Sequence, residues 1–145
     1  MSLDFSILGR FHNNSLSEVQ SWFEKERPSW SGLHIFSCVP SENHFMGKLI
    51  EQRYGFHPNF EVSLPVDKFA ETDEHSTGTV SLFRLFNQLG SAFTGDAVLL
   101  FQNETPFLHL AGHQITINSE QYTSDSLPAQ QIKLKKRFQP MEILE

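Results

Sequence analysis

The residues of this chain able to do chemistry are seven histidines, a single cysteine at Cys38, and an acidic run that ends at Glu74. His109 and His113, four apart, come nearest to a metal-ligand spacing. The residues around them read as strands, and four residues along one strand span roughly 13 Å at about 3.3 Å each. Two nitrogens so far apart do not share an ion bound at about 2.0–2.1 Å. A turn at Ala111-Gly112 would instead make them near-diagonal neighbours across a hairpin. No C-x-x-C or H-E-x-x-H supplies further ligands. The expectation is no metal, no cofactor, and two exposed hairpin histidines. Cys38 sits inside the β-rich run Leu33 to Val39, where a free thiol behaves as a small hydrophobe. No G-x-S-x-G elbow or cysteine-protease signature accompanies it. Gly47-Lys48 lacks the preceding glycines of a phosphate loop, and nothing places Glu61 and Asp67 in one pocket for acid–base work. No catalytic residue is assigned, and the chain reads as a non-enzyme.

Charge is more informative. Seventeen acids against eleven bases give a net charge of −6. That argues against a nucleic-acid binder, whose affinity rests on neutralising phosphates. Lys133, Lys135, Lys136 and Arg137 alternate in part with Ile132 and Leu134, and read as lysines that guard an edge strand from aggregation. Asp67, Glu71, Asp73 and Glu74, relieved by Lys68 and His75, read as a solvated acidic loop. Used functionally, those four acids are the expected contact with a basic protein partner, since complementary charge raises association rates and selects partners.

The elements that must position these residues follow from hydrophobic period and capping. Leu3, Phe5 and Ile7 alternate with polar residues and predict a first strand. Ser15-Leu16-Ser17-Glu18 is a capping box, and Leu16, Val19, Trp22 and Phe23 share one face of the helix that follows, which Pro28 ends. Leu33–Val39 predicts a second strand and 42–53 a short helix capped by Gly55. Phe60–Leu64 predicts a third strand closed by Pro65. The spacing of Leu82, Phe83, Leu85, Phe86, Leu89 and Phe93 predicts a helix over 79–93. Then come a doubly buried strand at 97–101, a turn at Gln102-Asn103, and strands at 107–110, 114–118 and 132–135. The predicted class is α+β: a mostly antiparallel sheet, two or three helices packed on one face of it, and a C-terminal β-meander.

The 145 residues suit a single domain, 1–145, with a core rich in its 14 phenylalanines. One cysteine excludes a disulfide-stapled secreted scaffold. No signal-peptide core is visible, and no window approaches the roughly 20 apolar residues of a membrane helix. A cytoplasmic protein without membrane or nucleic-acid partners is expected.

A family resemblance enters through Tyr54-Gly55-Phe56-His57-Pro58, the stretch Val62 to Phe69 with Asp67-Lys68, a helix, then Gly95-Asp96-Ala97-Val98-Leu99-Leu100-Phe101 with Asn103-Glu104 following, and Gln114-Ile115-Thr116-Ile117-Asn118. This order, over residues 54–118, resembles the third SitI group of immunity proteins from bacterial swarming-inhibition toxin systems. Gln102-Asn103-Glu104 stands where similar proteins carry Asn-Gly-Glu, and His109 where basic residues are common. The resemblance implies a non-enzymatic protein that binds and neutralises a cognate toxin. Two other readings stay open from the residues alone. One is a small cytosolic enzyme with a pocket built from His34, His57, Glu61 and His109. The other is an adaptor subunit of a homo-oligomer with contacts at Trp30 and Phe138.

Overall fold

The computed structural model describes residues 2–26, 37–41, 44–67 and 72–144. Its elements are β1 (Ser2–Phe11), α1 (Leu16–Glu26), β2 (Ser37–Pro40), α2 (His44–Tyr54), β3 (Phe60–Asp67), α3 (Thr72–Ala92), β4 (Gly95–Phe101), β5 (Thr105–Gly112), β6 (Gln114–Asn118) and β7 (Lys135–Gln139). The described strands form one sheet in the order β2-β3-β1-β4-β5-β6-β7. Every pairing is antiparallel except β6 with β7. The α+β class holds.

Local chemistry explains where the chain turns. The Ser15 hydroxyl accepts from the Glu18 amide at 3.2 Å, and Glu18 Oε1 accepts from the Ser15 amide at 3.2 Å, closing the capping box that starts α1. The bond from the Ser15 amide first, then one from the Asn14 side chain, hold the Glu18 carboxyl below its usual range. Between β4 and β5, Gln102 and Asn103 both adopt left-handed backbone, φ 52° and 59°, the combination a tight hairpin turn needs. The next hairpin pairs Ala111 with Gln114, so its turn is Gly112-His113, one residue later than the sequence predicts. Gly112 (φ 64°) supplies the left-handed residue there.

Packing divides along the two faces of the sheet. On one face Phe5, Ile7 and Phe11 of β1, Ala97 and Leu99 of β4, and Leu108 and Leu110 of β5 meet Val19 and Phe23 of α1 and the apolar arc of α3. Leu82, Phe83, Leu85, Phe86 and Leu89 are fully buried, as their spacing predicts. On the other face Leu8, Val98 and Leu100 meet Met46 and Ile50 of α2, Phe56, and Leu144 of the C-terminal tail. The helices therefore cover both faces rather than one. Helical period reveals that a helix has an apolar face; it does not reveal which side of the sheet receives it.

Three boundaries differ from the sequence reading. The strand predicted at 33–39 is observed over Ser37–Pro40, and residues 33–36 lie outside the described ones. β3 continues through Pro65 to pair Asp67 with Ser2. Pro65 lies past Ser63, where the described pairing with β2 ends, so its missing N–H interrupts no described ladder there. α3 begins at Thr72, two turns before the apolar pattern does. Residues 72–78 hold no large apolar side chain from which a period can be read. The acidic segment is thus partly helix rather than loop.

The last strand also moves. Ile132 and Leu134 do not belong to it; they pack into the α3-side core. Asn87 Oδ1 of α3 accepts from the amides of Lys133 (2.8 Å) and Leu134 (3.0 Å), replacing a strand partner. Strand pairing starts only at Lys135 and runs parallel to β6 along the sheet edge. Lys135, Lys136 and Arg137 are exposed there, as an edge strand requires.

Candidate functional site

His109 is the residue from which the site is built. It interrupts the apolar run Phe107-Leu108-His109-Leu110, and the strand period turns it to the face opposite Leu108 and Leu110. There it lies 4.5 Å, centroid to centroid, from the Tyr54 ring and stacks parallel to Phe56 at 6.3 Å. Gly55, in left-handed backbone (φ 81°), ends α2 between those two aromatics, its amide donating to Glu51 O at 2.9 Å.

Around the imidazole is a cleft of about 380 Å³ lined by Arg53, Tyr54, His109, Thr116, Arg137 and the chain from Gln139 to Glu142. α2 supplies Arg53 and Tyr54 from its last turn, β5 and β6 the floor, and β7 Arg137. Asn118 holds the tail in place: its amide nitrogen donates to Pro106 O (2.7 Å) and Met141 O (3.1 Å), and its Oδ1 accepts from the amides of Glu120 (3.0 Å) and Met141 (3.3 Å). Arg53 Nη1 donates to Glu142 O at 2.9 Å, and Arg137 Nε donates to Thr116 Oγ1 at 3.0 Å.

The electrostatics of the cleft are uneven. Burial, and secondarily the Arg137 charge, push the His109 pKa down to about 4, so the ring is neutral at pH 7. Burial pushes the Tyr54 phenol up to about 12, against a smaller opposing pull from Arg53. The Tyr54 hydroxyl and His109 Nε2 are buried without a hydrogen-bond partner among the described residues. Arg53 lies beside that phenol and favours the phenolate by its charge and by hydrogen bonding, yet among the described residues no donor stands in good hydrogen-bond geometry at the oxygen.

The sequence-predicted residues distribute as follows. Asp67 ends β3, Asp73 and Glu74 lie in the first turn of α3, and Glu71 lies outside the described residues. His34 and Trp30 also lie outside them, and Phe138 is partly buried against the core. Of the described members of the scattered set considered for an enzyme pocket, only His109 lines the cleft. His57 pairs with Glu51 at 3.2 Å on the exposed surface, and Glu61 sits in β3 opposite Leu8 and Val39. His113 does not join His109. Its Nδ1 lies 3.2 Å from Gly90 O of α3, on the opposite face, so the expected pair of exposed hairpin neighbours is not formed. His109 is itself half-buried. No group of three metal-ligating side chains occurs among the described residues. Cys38 is half-buried, and burial pushes its thiol up to about 11, far from a reactive thiolate. From the sequence, Tyr54 enters only as part of the family motif, Arg137 only as a charge on an edge strand, and Arg53 not at all. A lone histidine in an apolar strand was the one local signal pointing to them.

Residues 17–125 match the family model described as SitI3-like. The chain belongs to the SitI3-like family. Membership agrees with the motifs read over 54–118 and extends them back through α1 and α2. It marks the chain as an immunity-type protein. The SitI3-like match takes in Arg53, Tyr54, His109 and Thr116 and stops before Arg137 and the tail, so one wall of the cleft lies beyond it. No curated sequence and no solved structure gives a significant match. No helix among the described residues is long and apolar enough to cross a membrane.

Proposed function

We propose that this protein neutralises a cognate bacterial toxin in the cytoplasm by binding it directly, without catalysis. Membership of the SitI3-like family across residues 17–125 is the observation that carries the reading. The net charge of −6 supports it, because an acidic protein is drawn to a basic toxin surface. Asp67, Glu71, Asp73 and Glu74 are the proposed steering residues, bracketing the junction of β3 and α3. Rim charges of this kind act on the association rate and its salt dependence, while buried anchors govern dissociation.

Co-expression tests the function. Cells producing the toxin encoded beside this gene should survive when this chain is present and die when it is not; death in both cases refutes neutralisation. A second experiment tests the placement. Asp67→Lys with Asp73→Lys should slow association about tenfold at low salt and flatten its salt dependence. Unchanged rates with protection intact would move the interface elsewhere.

A further inference from the structure

We propose that the cleft between α2 and β5–β7 is an oxyanion site: Arg53 and Arg137 hold the charge of a carboxylate, the Tyr54 hydroxyl and His109 Nε2 orient it, and Tyr54, Pro140 and Met141 face an attached apolar body. The inference is independent of toxin binding. It starts from two buried polar atoms, Tyr54 Oη and His109 Nε2, which belong to residues that line one cleft and have no hydrogen-bond partner among the described residues. Folded proteins leave few buried polar atoms unpaired, and two beside one cavity point to a missing partner. Both can donate, the phenol as it stands and the neutral imidazole in the tautomer protonated at Nε2.

The partner must also suit the charges. Arg53 and Arg137 line the cleft, and among the described residues neither guanidinium has a carboxylate within salt-bridge distance. Arg53 gives one nitrogen to the Glu142 carbonyl and Arg137 gives Nε to Thr116, which leaves the terminal nitrogens of Arg137 without a hydrogen-bond partner among the described residues. Such a free edge is what a carboxylate or phosphate takes. Glu142 also lines the cleft, so two guanidinium groups against one carboxylate leave it net positive in a chain of net charge −6. A ligand cation is disfavoured on both counts. The volume of about 380 Å³ falls in the range of small-ligand pockets, roughly 300–1,000 Å³, and exceeds what a bare ion fills.

The test uses the full chain, isotope-labelled for amide spectra, at constant ionic strength. Benzoate, its neutral analogue benzamide, inorganic phosphate and the peptide acetyl-Gly-Glu-Gly-amide are titrated separately. Saturable shifts should concentrate at residues 53–54, 109 and 137–142, with benzoate binding at least about tenfold more tightly than benzamide. Arg53→Gln and Arg137→Gln should each weaken the bound anion about tenfold while the spectrum stays dispersed, and Tyr54→Phe should weaken it about threefold. Saturation by benzoate or phosphate identifies a free anion as the occupant. Saturation by the glutamyl peptide alone identifies an acidic side chain of a protein; either supports the site. Saturable binding of benzamide as tight as that of benzoate overturns it. So do folded arginine variants that bind unchanged, or no localised shift from any probe at about 50 mM, far above a weak 1 mM Kd. Should an arginine variant unfold, Tyr54→Phe decides, because it removes one oxygen and keeps the ring.

Discussion

Asn118→Ala should be among the most damaging single substitutions in the molecule, although Asn118 is neither apolar nor exposed to a partner. The side chain is fully buried at the end of β6 and makes four hydrogen bonds to backbone groups of Pro106, Glu120 and Met141. Alanine deletes all four. Three of them lie in the buried interior, to Pro106 O, Met141 O and the Met141 amide, where water does not readily replace them. Each buried backbone group left unpaired costs about 1–3 kcal/mol, and partial relaxation brings the expected total to about 3–5 kcal/mol. For a chain of this size that corresponds to a fall in Tm of about 10–15 °C. The damage should also be directional. Leu144, whose amide donates to Glu104 O at 2.8 Å, is carried by the same tail, so its hydrogen exchange should accelerate more than that of β4. Asn118→Asp should be worse at pH 7, because a carboxylate oxygen would then face two carbonyl oxygens, and acid should relieve part of the loss. Urea denaturation and amide exchange measure both effects. A loss below about 1 kcal/mol, with Leu144 exchange unchanged, would refute the clamp.

Leu85→Ala and Phe86→Ala, both fully buried under α3, should each cost about 2–5 kcal/mol in urea denaturation, and unchanged midpoints would show that α3 is not core. His109 predicts a pH dependence. Its folded pKa, about 4, lies below the ordinary 6.5 of the unfolded chain, so the unfolded state binds the proton first and stability falls as pH drops below about 6.5. Between pH 7 and 5 this group alone should remove about 2 kcal/mol, and His109→Phe should lose that part of the slope. An identical slope in the variant would place the titration elsewhere.

Much of the fold was legible where one local device decides it. The Ser15–Glu18 box, the arc from Leu82 to Leu89 and the doubly buried β4 each carry their answer within a few residues. Non-local choices were not legible. Whether Met46 and Ile50 pack on the face of Leu99 or of Val98 depends on chain path rather than on the period of α2. β7 joins the sheet edge parallel to β6 just after Asn87, 46 residues before Lys133, takes the amides of Lys133 and Leu134, a contact no local pattern announces. The cleft has the same origin. Arg53, His109 and Arg137 come from three separate elements, and only the odd polarity of His109 within its strand hinted that anything met there.

The most direct test of the proposed function is to titrate the purified toxin with this protein, following heat of binding and residual toxin activity in the same samples. Direct neutralisation predicts saturation at a fixed molar ratio, a Kd below about 1 µM, and loss of activity that tracks bound fraction point for point. Toxin that stays active when saturated, inactivation by far less than one equivalent, or no association at micromolar concentration would contradict it.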